Sequence, residues 1–203
     1  MRIIHTTEDF YKLSNGVYIP KNEIKSLHDK TLFECTRCIF DFFRKPYVIF
    51  RQGPEKFCIC CNKINAITDY DGSCVLSDIK NTVKSYKGIL IFIPEYKNEE
   101  MLSEKGNPLK SDLAIFLIDN LSLPLAIIEI GKVCDINSYK CKRNFCYKHG
   151  IVFQRMLYTN QCDYYFRLFI ERLLEFNRMN YLDKNSEIEK WFPSIWINDI
   201  RDK

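Results

Sequence analysis

The sequence predicts a mixed α/β fold: a small mixed sheet with helices, preceded by a zinc ribbon and followed by a C-terminal helix. Two CxxC pairs, Cys35/Cys38 and Cys58/Cys61, stand before residue 70. Three short runs rich in Ile, Leu and Phe follow one another between residues 88 and 131, and a polar helical stretch then leads to a further apolar run. Near the end, Cys162 to Arg178 repeats apolar residues at helical spacing.

Composition sets the frame for this. The 203 residues are 46% hydrophobic and 28% charged, close to the globular average, which excludes disordered and fibrous classes. The longest apolar runs, Ile89 to Pro94 and Leu123 to Ile128, fall far short of the roughly 20 residues of a membrane span, and the opening MRIIHTTEDF has no apolar signal core. A soluble, cytoplasmic protein with no membrane partner is expected. The net charge of +4 is too small to define a partner, yet between residues 132 and 155 Lys132, Lys140, Lys142, Arg143, Lys148 and Arg155 face a single acid, Asp135.

Two domains are expected, 1–70 with the ribbon at about 33–64, and 71–203. The first 30 residues carry no strong pattern. A CxxC turn aims two thiolates at one point, and two such turns complete a tetrahedral sulfur cage, so Cys35, Cys38, Cys58 and Cys61 predict a structural zinc site. Cys60 is an alternative ligand in the second pair. Pro46 to Phe50 reads as a strand, with Gly53-Pro54 turning the chain back. Phe33, Phe40, Phe42, Phe43 and Phe57 either stack on bases or cover the metal.

In the second domain Val75, Ile79, Val83 and Tyr86 recur at helical spacing, predicting a helix from Ser77 to Tyr86 that Gly88 ends. Strands are expected at 88–96, 111–119 and 123–131, the last two as a hairpin, with a mobile polar loop from Glu99 to Pro108. A helix from Ser138 to His149 and a strand at 151–157 form a crossover to a parallel strand. In the helix from Cys162 to Arg178, Tyr165, Leu168, Phe169, Leu173 and Phe176 form the apolar face, and Trp191, Phe192 and Trp196 anchor the end.

Within the hairpin, Asp112 opens one strand and Glu129 lies near the end of the next, so antiparallel pairing brings two carboxylates together. Such a pair can hold a Mg or Mn ion with water and phosphate oxygens in the remaining positions; ordinary solvated edge acids are the alternative. The run SDLAIFLIDNLSLPLAIIEIGK, followed by KCKRNFCYKHGIVFQRM, resembles the PD-(D/E)XK nuclease superfamily, in its very-short-patch-repair-like branch with an N-terminal zinc ribbon. The resemblance spans roughly Ser77 to Leu157. It implies an αβββαβ core and metal-dependent DNA endonuclease chemistry, with Asp112 and Glu129 as metal ligands. The motif position two residues after the Glu, Lys or Asp in the family, is Gly131 here. Lys132 is the replacement candidate, with Gln154 orienting water or ligand.

Two functions compete. One is a nuclease whose Lys140, Lys142, Arg143, Lys148 and Arg155 neutralise phosphates, DNA being the expected partner. The other keeps the fold but only binds nucleic acid or a protein, as loss of the motif lysine favours. A third possibility is a structural zinc protein of a larger complex. Cys134, Cys141, Cys146 and His149 form either a second metal group or buried thiols beside a helix end.

Overall fold

The computed structural model describes residues 7–52, 75–131, 135–179, 181 and 183–192. Contacts divide the chain into two units, Met1–Thr68 and Asp69–Lys203.

In the first unit, helix α1 (Thr7–Leu13) precedes an antiparallel sheet of β1 (Tyr18–Pro20), β2 (Thr31–Cys35) and β3 (Asp41–Arg44). The patternless N-terminal stretch is therefore structured. Its core is aromatic: Phe10 stacks on Phe33 with ring centroids 4.9 Å apart, and Tyr18 meets Phe42 edge-on at 5.1 Å. The predicted strand from Pro46 to Phe50 is instead the start of helix α2 (Pro46–Gln52). A short apolar run suits either element, and Pro46 sits at the first helical position, where its missing N–H costs nothing. Ile49 is buried, and Phe50 packs edge-on against Phe10. Phe33, Phe40 and Phe42 are likewise buried, which removes them as base-stacking surfaces; Phe43 is exposed, and Phe57 lies outside the described residues.

The second unit runs α3 (Lys80–Tyr86), β4 (Leu90–Leu102), β5 (Pro108–Leu117), β6 (Ala126–Ile130), α4 (Ile136–Lys148), β7 (Val152–Met156), α5 (Cys162–Arg178) and α6 (Lys184–Trp191). A further helical turn at 75–78 precedes α3, and Val75, Ile79 and Val83 are fully buried as their spacing predicts. The four strands lie in the order β4-β5-β6-β7; the first two pairings are antiparallel and β6/β7 is parallel. The crossover through α4 supplies that parallel pair. β4 runs past its predicted end and β5 starts ahead of its predicted start, so half of the polar stretch from Glu99 to Pro108 is strand and the connection shrinks to a turn at 103–107. The pairing register shifts between Lys97 and Leu102, and apart from the buried Met101 this part of the hairpin is largely exposed, so no apolar run marks it.

Partners in register share a face of the sheet. One face, with Ala114, Ile127 and Phe153, is covered by α4, whose Tyr139 ring lies 5.2 Å from Phe153. The opposite face packs on α5 through Phe92 and Phe166. The helix α5 has the predicted limits, but its buried stripe is Cys162, Phe166, Phe169, Ile170, Leu173 and Phe176, with Tyr165 and Leu168 at its flank. Both stripes have helical spacing, and the position of β4 decides between them. Asp163 at the start of α5 ties down α3, accepting the Thr82 N–H at 3.0 Å. Phe176 packs against Trp191 and Phe192, as expected of the aromatic end, while Trp196 is outside the described residues.

Candidate active site

The two carboxylates are positioned by strand register. Leu113 pairs with Ile128 and Ala114 with Ile127, so one step further along the hairpin sets Asp112 opposite Glu129 on the face covered by α4. Here β5 no longer supplies a backbone partner to β6, and Asp112 Oδ2 takes its place, accepting the Ile130 N–H at 2.8 Å. Helix α4 is started by Asp135, whose carboxylate accepts the Asn137 N–H at 3.0 Å. The helix then lowers Lys142 onto the sheet, where Nζ donates to Glu129 Oε2 at 2.7 Å, with the two side chains 11% and 16% exposed. Among the described residues Glu129 Oε1 is buried without a hydrogen-bond partner.

The electrostatics follow from this placement. Burial pushes the Glu129 carboxyl up to about 7; the Lys142 charge pulls it down and the Asp112 charge adds to the rise. Cys146, one helical turn beyond Lys142, is also buried, and burial followed by the Glu129 charge pushes its thiol far up, so it stays protonated. A thiol held protonated in this way is a poor nucleophile.

Several predicted site residues lie elsewhere. Gln154 pairs with Ile128 in the β6/β7 ladder and so faces away from Glu129; its Nε2 donates to the Phe192 carbonyl at 3.3 Å. The alternation of β7 removes it from the carboxylate pair and presents Arg155 there. Arg155 in turn is buried, donating to the Gly131 carbonyl at 2.9 Å with its guanidinium 5.5 Å from the Tyr139 ring centre. Gly131 has φ 85° and ends the strand in a conformation that suits glycine. Lys132 lies outside the described residues. Of the five cations expected on phosphate, Lys140, Arg143 and Lys148 are exposed, while Lys142 and Arg155 are buried in internal contacts. The sequence reading missed Lys142 as the partner of Glu129. Its signal was a lone lysine on the inner face of the crossover helix, visible only once the helix phase is known.

In the first unit Cys35 and Cys38 are both buried at the tip of the β2/β3 hairpin. The Cys35 N–H donates to the Phe40 carbonyl at 3.0 Å and the Ile39 N–H to the Cys35 carbonyl at 2.8 Å. Ile39, directly after the CxxC, is held at φ 65°, a left-handed conformation that is costly for a β-branched residue. Two thiols on one tight turn fit half of a tetrahedral zinc site. Cys58, Cys61 and the alternative Cys60 lie outside the described residues, as does Cys134. Among the described residues no three His, Cys, Asp or Glu side chains converge as a metal group. His149 Nε2 lies 3.8 Å from Glu100 Oε2 at the end of α4, and its ring packs on Phe145.

No protein-family model, curated protein or solved structure matches the chain. No helix among the described residues is long and apolar enough to cross a membrane.

Proposed function

We propose that the protein is a metal-dependent nucleic-acid-processing enzyme of the PD-(D/E)XK type that hydrolyses DNA phosphodiester bonds. The observation that carries this reading is the meeting of Asp112 and Glu129 across a hairpin, with a lysine on the second carboxylate. The partnerless buried Oε1 of Glu129 suits a cation. Asp112 and Glu129 would hold a Mg or Mn ion, which when bound supplies Lewis acidity toward phosphate and a more acidic water. Lys142 stands in for the family lysine absent at Gly131, arriving from the helix after the strand; it orients Glu129 and sets positive charge beside the substrate phosphate. Burial holds the metal-free Glu129 carboxyl up at about 7, so a cation would displace its proton on binding. Lys140, Arg143 and Lys148 offer the exposed charge for the DNA backbone. Cys35 and Cys38, with the second CxxC pair, would hold a structural zinc ion.

A second reading is a binding module that retains this core without cutting DNA. It is favoured by the direct Lys142–Glu129 ion pair at 2.7 Å, in which each group already neutralises the other. Supercoiled, linear, nicked and single-stranded DNA incubated with the protein and Mn²⁺ separates the two. Cutting that disappears in both Asp112→Ala and Glu129→Ala supports catalysis. Absence of cutting, or cutting unchanged in these variants, rejects it, and a binding constant that falls with salt then favours the module.

A further inference from the structure

A groove of about 370 Å³ runs beside the edge strand β7, between α4 and α6. Its size is at the lower end of the ~300–1,000 Å³ typical of small-molecule sites. One wall is a line on α4 formed by Tyr139, Arg143 and Tyr147, each four residues from the next. The floor includes Phe153 and Gln154, and α6 contributes Asn185 and Glu189.

Two side-chain oxygens of residues that line this groove have no hydrogen-bond partner among the described residues. Gln154 is 3% exposed, its Nε2 donates to the Phe192 carbonyl, and its Oε1 is buried without a hydrogen-bond partner among the described residues. Asn185 Oδ1 is likewise buried without a partner among the described residues. Leaving a buried acceptor unpaired costs about 1–3 kcal/mol, so two such oxygens lining one groove need an explanation. Asp183 begins α6 and accepts the Asn185 N–H at 3.1 Å, which holds Asn185 at the groove by its backbone.

From these contacts we propose that the groove binds one nucleotide whose base carries an exocyclic amino group. The amide oxygens of Gln154 and Asn185, with the Glu189 carboxylate, present acceptors to the base N–H groups. Tyr147, exposed on α4, and Phe153 offer flat faces for stacking, and Arg143 is placed for the phosphate. Adenine, cytosine and guanine have the required amino group; thymine does not. Free nucleotides and a nucleotide within a single strand share this chemistry. Gln154 thus has a different role from the one expected of it beside the carboxylates. The groove requires no cutting and no cation, so it stands or falls separately from the nuclease reading.

The test is calorimetric titration of the full chain, in buffer containing chelator, with dAMP, dCMP, dGMP and dTMP and with homopolymeric single-stranded oligonucleotides of each base. At least one amino-bearing nucleotide should bind ten times more tightly than dTMP, and Gln154→Leu should reduce that preference at least fivefold. Arg143→Ala, an exposed position, should weaken the nucleotide at least fivefold but leave the matching nucleoside unchanged; it keeps the test decisive should Gln154→Leu fail to fold. Equal binding by nucleotide and oligonucleotide identifies a free nucleotide as ligand, and tighter binding by the oligonucleotide identifies a strand. Absence of saturable binding by every probe, no preference over thymine, or indifference to Arg143→Ala overturns the proposal.

Discussion

Replacing Lys142 by Met removes the cation that holds Glu129 Oε2 at 2.7 Å. The folded protein holds the Glu129 carboxyl at about 7, above its ordinary 4.5, so between these values the native state keeps a proton that the unfolded chain has released. The stability associated with that proton is fully present below the lower value and is lost as pH rises through the higher one. At ~1.4 kcal/mol per pH unit, the buried carboxylate of the wild type costs on the order of 3 kcal/mol once it is ionised. Without Lys142 the carboxyl is pushed higher still, so above about pH 7 the variant either holds its proton against an unfolded chain that has lost it or buries an unpaired charge, and either costs more than the wild-type pair. The variant is therefore expected to lose ~2 kcal/mol relative to wild type at about pH 8.5 and close to nothing at about pH 5, where Glu129 is neutral in both proteins. Urea unfolding at these two pH values and at about pH 7 measures the difference, and adding Glu129→Gln to Lys142→Met should abolish its pH dependence. A loss that is the same at every pH would refute the reasoning, because Lys142 would then act by packing alone.

Because proton and cation compete for Glu129, whose metal-free carboxyl burial raises to about 7, cutting at limiting Mn²⁺ should rise with pH and the rise should move to lower pH as Mn²⁺ is increased; a rise at the same pH at every Mn²⁺ concentration counts against Glu129 as a cation ligand. Phe166→Ala should cost ~3–5 kcal/mol in chemical unfolding, because the ring is fully buried against Phe92, whereas Tyr165→Ala, beside the buried stripe, should cost less than about half of that; equal losses would show the stripe to be misplaced. Purified protein should carry one zinc ion per chain by elemental analysis, lost in Cys35→Ser and Cys38→Ser, with no change in the Phe166→Ala protein; full zinc content in the cysteine variants excludes these thiols as ligands.

Much of the second unit is legible in the order of its residues. Val75, Ile79 and Val83 mark a buried helix face, and the apolar runs in β4, β5 and β6 mark strands that are covered on both sides. The crossover through α4 to a parallel β7 follows from the run-helix-run order. Where the reading differed, the cause is specific. Pro46 to Phe50 is too short for periodicity to separate strand from helix, and the Glu99 to Pro108 stretch forms strand by pairing outside the core, where composition gives no signal.

For the candidate site, the sequence by itself determined that two acids lie at adjoining strand ends and that no lysine occupies the motif position, because strand order and residue identity are local properties. The tertiary structure alone decided which side chains meet them. A single residue of alternation sends Gln154 to the far face and Arg155 to the near one, and the phase of α4 brings Lys142 inward while Lys140, Arg143 and Lys148 stay in water. Those choices depend on how helix and sheet pack across their common core, and that packing is not written in any one segment.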